Sequence, residues 1–104
     1  MRLSDLRELV TIERNVQATD FEHLQGWSAI GHAWVSIQPS DTRESLAANE
    51  TVGTVTHLIT MRWRDDVSIR DRLRQVDVKY GIVGQYDPNG RRQWLVCKCI
   101  EEQQ

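Results

Sequence analysis

The stretch from Tyr80 to Ile100 restricts what this chain can fold into more than any other part of it. Two runs rich in β-formers, Tyr80-Gly-Ile-Val-Gly-Gln-Tyr86 and Arg91-Arg-Gln-Trp-Leu-Val-Cys-Lys-Cys-Ile100, flank the turn residues Asp87-Pro88-Asn89-Gly90. Pro88 presets φ for the second position of a type I turn. Asn89 tolerates the bridge region, and Gly90 takes a positive φ that closes the turn with a bulge. An antiparallel hairpin is expected here, and the rest of the chain must supply the strands that complete its sheet.

Those strands can be read in order. Leu3 and Leu6 lie in a short polar segment, either one helical turn or a stretch along the body. Arg7 to Arg14 alternates, with Val10 and Ile12 on one face and Thr11 and Glu13 on the other. Asn15 to Gly26 is a polar loop whose large apolar residues are Phe21 and Leu24, and a loop of this length in a small domain is expected to contact something. Trp27 to Ile37 is a long strand. Ala29, Gly31, Ala33, Val35 and Ile37 fall on one face, and Ile30, His32 and Trp34 on the other. Both faces are partly apolar, which points to a partner chain covering one of them. Pro39 ends the strand.

Ser40 to Glu50 is the helix candidate, with Asp41 as cap and Glu44 completing a capping box. So little of it is apolar that the helix is marginal by itself. Thr51 to Arg64 returns to strand, with Val55, His57, Ile59, Met61 and Trp63 alternating against Thr54, Thr56, Leu58, Thr60 and Arg62. Asp65-Asp66 begins a connection, and Val67 to Leu73 reads equally as turn or short helix. Leu73 to Lys79 reads as a further strand with Val76 and Val78 on one face. The fold class is all-β with one short helix: a small antiparallel barrel or sandwich of five to six strands. A long loop-helix excursion separates strands two and three, and curling hides the sheet edges.

A chain of 104 residues forms a single domain, 1–104, that buries roughly two-thirds of its unfolded surface. With 39% hydrophobic residues, its core is modest. The 13 basic and 15 acidic residues leave a net charge of −2, which excludes a strongly basic DNA-wrapping protein. No apolar run approaches the ~20 residues of a membrane helix, and the opening Met-Arg-Leu-Ser-Asp-Leu-Arg lacks a signal-peptide core. The expectation is no membrane partner and assembly inside a cell. Cys97 and Cys99 share one strand face, too strained for a routine disulfide, and read as apolar core residues in a reducing compartment.

Residue types that carry chemistry are present without the spacing chemistry needs. His23, His32 and His57 have no partners at metal-ligand spacing. Gly81 and Gly84 lie in strand pattern rather than a phosphate loop, and no Gly-x-Ser-x-Gly elbow exists. Asp65-Asp66 reads as a solvated turn. The expectation is no enzyme, no metal and no cofactor. The richest charged stretch is Arg62-Trp63-Arg64 with Arg70, Arg72 and Arg74. It reads either as a single-strand nucleic-acid grip or as the wet face of strands with Trp63 packed inward, and the intervening Asp65, Asp66 and Asp71 favour the second.

In order and spacing these pieces resemble the tailed-phage head–tail joining, or head-closure (stopper), protein family. The first strand is Leu9-Val-Thr-Ile-Glu-Arg14. The second ends in Trp34-Val-Ser-Ile-Gln-Pro39, with Val35 for the family's usual Ala. After a variable excursion comes Thr56-His-Leu-Ile-Thr-Met-Arg-Trp-Arg64, with Trp63 for Tyr. The final hairpin is Tyr80-Gly-Ile-Val-Gly-Gln-Tyr-Asp-Pro-Asn-Gly-Arg91, with Asn89 for Asp, and the Asp-Gly that usually precedes it is Asp77-Val78 here.

The resemblance implies a non-enzymatic virion protein of the head-to-tail connector, assembled in the host cytoplasm. Such a protein is expected to form a homo-oligomeric ring beneath the portal or adaptor ring. The ring would close the channel for packaged double-stranded DNA and offer a docking surface to the tail terminator or tail tube protein. The channel plug falls on the excursion, Ser40-Asp41-Thr42-Arg43-Glu44-Ser45-Leu46-Ala47-Ala48-Asn49-Glu50-Thr51, extending toward Thr54. A DNA conduit should avoid strong attraction, so Arg62, Arg64, Arg72 and Arg74 are expected at subunit or head-side contacts. Phe21 and Leu24 are expected to dock on the neighbouring ring. Alternative readings are a tail terminator or adaptor ring of the same neck, or a small β-barrel that binds single-stranded nucleic acid.

Overall fold

The computed structural model describes residues 2–16, 26–40 and 55–102. After a 3-10 turn at Leu3–Asp5 come β1 (Glu8–Val16), β2 (Gly26–Pro39), β3 (His57–Arg62), β4 (Asp71–Gln75), β5 (Val78–Tyr86) and β6 (Trp94–Glu102). All neighbouring pairs are antiparallel, and the order β1-β2-β3-β6-β5-β4 closes on itself as a barrel. The helix expected at Ser40 to Glu50 lies almost wholly outside the described residues, among which the 3-10 turn is the only helical element.

Alternation dictates what fills the barrel. Val10, Ile12, Val35, Ile59, Met61, Leu73, Ile82, Leu95, Cys97 and Cys99 point inward from all six strands and are buried, with Tyr80 and Val67 beside them. The short strand β4 closes the sheet, with Leu73 opposite Ile12 of β1 on one side and Tyr80 of β5 on the other. Cys97 and Cys99 are buried free thiols. Burial pushes Cys97 up to about 11 and Cys99 further still, so both stay protonated.

Two bulges bend the sheet. In β2 the register steps from Ile12↔Gly31 to Glu13↔Ala29, leaving Ile30 as the extra residue. Strict alternation had placed Ala29 with the inward Ala33 and Val35. The bulge instead sets Ala29 opposite the outward Glu13, and Trp27 opposite Asn15 on that same outer face. In β5 the corresponding extra residue is Val83.

Two further sequence expectations are corrected. The reading of Leu73 to Lys79 as one strand fails because the chain reverses at Val76 and Asp77, so that Gln75 pairs with Val78. Val76 is exposed at φ 56, a left-handed conformation that β-branched residues rarely adopt. The final strand begins at Trp94 rather than Arg91. Between Tyr86 and Trp94 the Asp87 carboxylate accepts the backbone N–H groups of Gly90 (3.0 Å) and Arg92 (2.8 Å). Gly90 has the expected positive φ, 70, but Arg92 adds a second left-handed residue at φ 55, which lengthens the loop.

Because β3 and β4 stand three places apart around the ring, the segment between them must cross one mouth of the barrel, here termed the upper end. Residues 63–70 do so. Val67 is buried in the core, its carbonyl accepts from Gln85 Nε2 (3.0 Å), and the Asp66 carbonyl accepts from Arg14 Nη2 (2.9 Å). The loops after β1 and β5 leave from this end. The excursion after β2 and the Val76–Asp77 turn leave from the lower end.

Candidate functional site

The closed ring gives every strand a neighbour on both sides, although β2 pairs with β3 only over Val35 to Pro39, so that Gly26 to Trp34 is laddered to β1 alone. The side-chain faces and the ends of the barrel are the main surfaces left for a partner. Three regions of the described residues qualify.

The first is the outer face of β1 and β2. Leu9 and Trp34 are direct cross-strand partners on this face and both are exposed, Trp34 at 58%. Leu3, also 58% exposed, and Leu6 come from the 3-10 turn and its cap. With Ala33, Trp34, Met61, Arg62, Trp63 and Arg64 they line a groove of about 540 Å³. Its walls are apolar and its polar rim is arginine. Arg62 lies exposed, with its guanidinium 5.8 Å from the Trp94 ring.

The second is the lower end, where the excursion is rooted. The Ser40 N–H donates to the Thr56 carbonyl (2.8 Å), and the Thr56 N–H donates to the Cys99 carbonyl (2.9 Å). Thr56 Oγ1 accepts from the Glu101 N–H (2.7 Å) and lies 3.0 Å from His57 Nδ1. Val55 is buried directly before it, and His57 stands edge-on to Tyr80 at 5.0 Å. The two ends of the excursion are thus stapled to each other, and Thr56 fastens them to β6.

The third is the ionic network at the upper end and along β4. Asp71, its side chain fully buried, accepts from Arg14 Nε (2.8 Å) and Nη2 (3.0 Å) and from the Ser68 N–H (2.9 Å). Arg64 grips Asp66 through Nε (2.7 Å) and Nη2 (2.8 Å) and donates to the His32 carbonyl (2.9 Å), which fastens the crossing segment to β2. The hydrogen bonds and charge of Arg64 outweigh burial and hold the Asp66 carboxyl below its ordinary range. On the outer face Arg72 Nε (2.8 Å) and Arg74 Nε (2.9 Å) share the Glu13 carboxylate, Arg72 reaches Glu102 (3.4 Å), and its guanidinium stacks 4.0 Å from the Trp27 ring. Burial alone would raise the Glu13 pKa, but the two arginines more than offset it and lower it.

Of the residues singled out from sequence, the structure brings Arg72 and Arg74 together on Glu13, sets Arg64 across the upper mouth and leaves Arg62 on the outer wall. Trp63 is half-buried and donates its indole N–H to Asp65 (2.9 Å), so Arg62-Trp63-Arg64 is not an open stacking platform. Ser40 stands at the foot of the excursion. Asp41 to Thr51 and the loop residues Phe21 and Leu24 lie outside the described residues. Sequence reasoning missed Glu13, Asp71 and Thr56. For Asp71 a signal existed: it sits in a strand among arginines at alternate positions, Arg70, Arg72 and Arg74.

Among the described residues no His, Cys, Asp or Glu side chains cluster as metal ligands, and no helix is long and apolar enough to cross a membrane. A family model described as "Phage head completion protein" matches residues 1–102. Among solved structures, a chain from the "Virion of native gene transfer agent (GTA) particle" superposes with a TM-score of 0.62. Its identity to this chain is 18%, over 91% of this chain and 96% of that one. At that identity the likeness speaks for the fold. Comparison with curated proteins returns no match.

Proposed function

This chain belongs to the phage head completion protein family, whose members are structural virion proteins, and we propose that it forms a ring beneath the portal or adaptor. In this reading the ring closes the DNA channel after packaging and presents a docking surface to the tail. The observation that carries the proposal is the apolar outer face of the closed barrel. Leu3, Leu9 and Trp34 lie exposed together on the described surface, and side-chain packing against a second copy is the way such a face is covered. Arg62, on the rim of the same groove, contacts the neighbour directly. Arg64, Arg72 and Arg74, engaged within the chain, act indirectly by holding the surfaces that are contacted.

The excursion between β2 and β3 is the plug. Its support is the stapled base at Ser40 and Thr56, a fixed root for a segment that must swing. The loop between β1 and β2, with Phe21 and Leu24, leaves from the opposite end and docks on the adjoining ring. Deleting residues 43–53 tests the plug: particles should assemble at normal yield and lose packaged DNA. Full genome retention by such particles would rule the plug out. Position as an adaptor or terminator ring is the alternative within the same neck.

A further inference from the structure

We propose that the groove formed by Arg14, Asn15, Trp27 and Arg70 at the upper end of β1 and β2 binds the phosphate–deoxyribose backbone of duplex DNA. This rests on the reading of the chain as a neck component, since that is what brings DNA within reach. The groove is about 490 Å³. What recommends it is the layering of charge around it. The formal count nearly balances, but the acids lie beneath the bases. Asp71 has a side chain 0% exposed, with its oxygens turned onto Arg14 and the Ser68 N–H, whereas the Arg14 side chain above it is 43% exposed. Along β4, Glu13 is 10% exposed beneath Arg74 at 36%, whereas Arg72 is itself 11% exposed and backs Trp27 from below. Asp66, close to Arg14 and more open, has both oxygens on Arg64. Arg70 is exposed and has no carboxylate partner among the described residues. An anion approaching this groove meets N–H donors first, and the buried carboxylates hold those donors in place.

Trp27 decides which anion. One face of its indole carries the Arg72 guanidinium at 4.0 Å, and the residue remains 39% exposed on the wall of the groove. A sugar or base edge gains from a flat, guanidinium-backed aromatic surface, whereas a partner's carboxylate does not. Asn15, directly opposite Trp27 in the sheet, adds an exposed amide beside it. Two guanidinium contacts make a weak grip in one copy, which suits DNA that must later move.

The test uses the full-length protein and a short labelled DNA duplex, read by anisotropy. Two phosphate contacts give a salt slope near −2, so affinity should fall about ten-fold between about 50 and 200 mM salt. Arg70→Gln, which removes no observed ion pair, should weaken binding several-fold and lower the slope by about one. Trp27→Ala should weaken binding while leaving the slope unchanged. Arg7→Gln, exposed just before β1 at the opposite end of the barrel, should bind like the parent. Absence of binding at low salt, or an Arg70→Gln protein that binds like the parent, overturns the site. Equal competition by inorganic phosphate overturns the backbone assignment, and so does preference for a polyglutamate peptide. Neither failure touches the head-completion reading, which is scored separately by whether the Arg70→Gln protein is incorporated into particles.

Discussion

Truncating Leu73 attacks the barrel where it closes. Leu73 is fully buried on the shortest strand, facing Ile12 of β1 and Tyr80 of β5, so its side chain bridges the seam that turns a sheet into a barrel. Leu73→Ala removes three carbons, about 2.4 kcal/mol of transfer free energy at ~0.8 kcal/mol each. The ring of backbone around the site limits collapse, so the cavity term brings the loss to about 3–4 kcal/mol. Against the roughly 5–15 kcal/mol total of a domain this size, that is a large fraction. At ~4–8 °C per kcal/mol, it lowers Tm by some 12–30 °C. Urea unfolding followed by tryptophan fluorescence measures it, with an unchanged m-value showing that the fold is retained. Ile69→Ala, an exposed position, is the control and should stay within about 0.5 kcal/mol of the parent. A Leu73→Ala loss below about 1 kcal/mol would refute the closed-seam argument.

Val76→Gly should stabilise the protein by about 1 kcal/mol in the same assay, because it relieves a left-handed β-branched residue in an exposed turn. Glu13→Gln should destabilise at neutral pH, and the gap from the parent should shrink in acid. The depressed folded-state pKa of Glu13 contributes stability that is present above its unfolded value and lost as pH falls through the lower, folded one. Urea midpoints from about pH 7 down to about pH 3 measure this, and a pH-independent gap would contradict it. Cys97 and Cys99, buried and held protonated, should resist a thiol reagent in the native protein and react fully in denaturant.

Much of the barrel was legible in the sequence because period-two alternation reports burial directly. Val10/Ile12, Ile59/Met61 and Cys97/Cys99 all point where their spacing says they should. What failed did so for local reasons. The bulge at Ile30 shifts the outward face of β2 and brings Trp27 onto Arg72, and a bulge leaves no reliable mark in a single sequence. The reversal at Val76-Asp77 lacks the Asn-Gly or Asp-Gly that would have announced it, so a strand was read straight through it. In the candidate site the arginines were visible, but their commitments were not. That Arg72 and Arg74 close on Glu13, and Arg14 on Asp71, depends on which strands become neighbours across the seam, a long-range fact.

The central claim is that this barrel is a building block of the particle's head closure, covered on its apolar flank by copies of itself. Cryo-electron microscopy of purified particles tests it most directly. The expected image is a ring of six-stranded barrels between head and tail, with Trp34 of each copy buried against the next. Particles with an intact, DNA-filled neck that contain no copy of the chain would contradict the account.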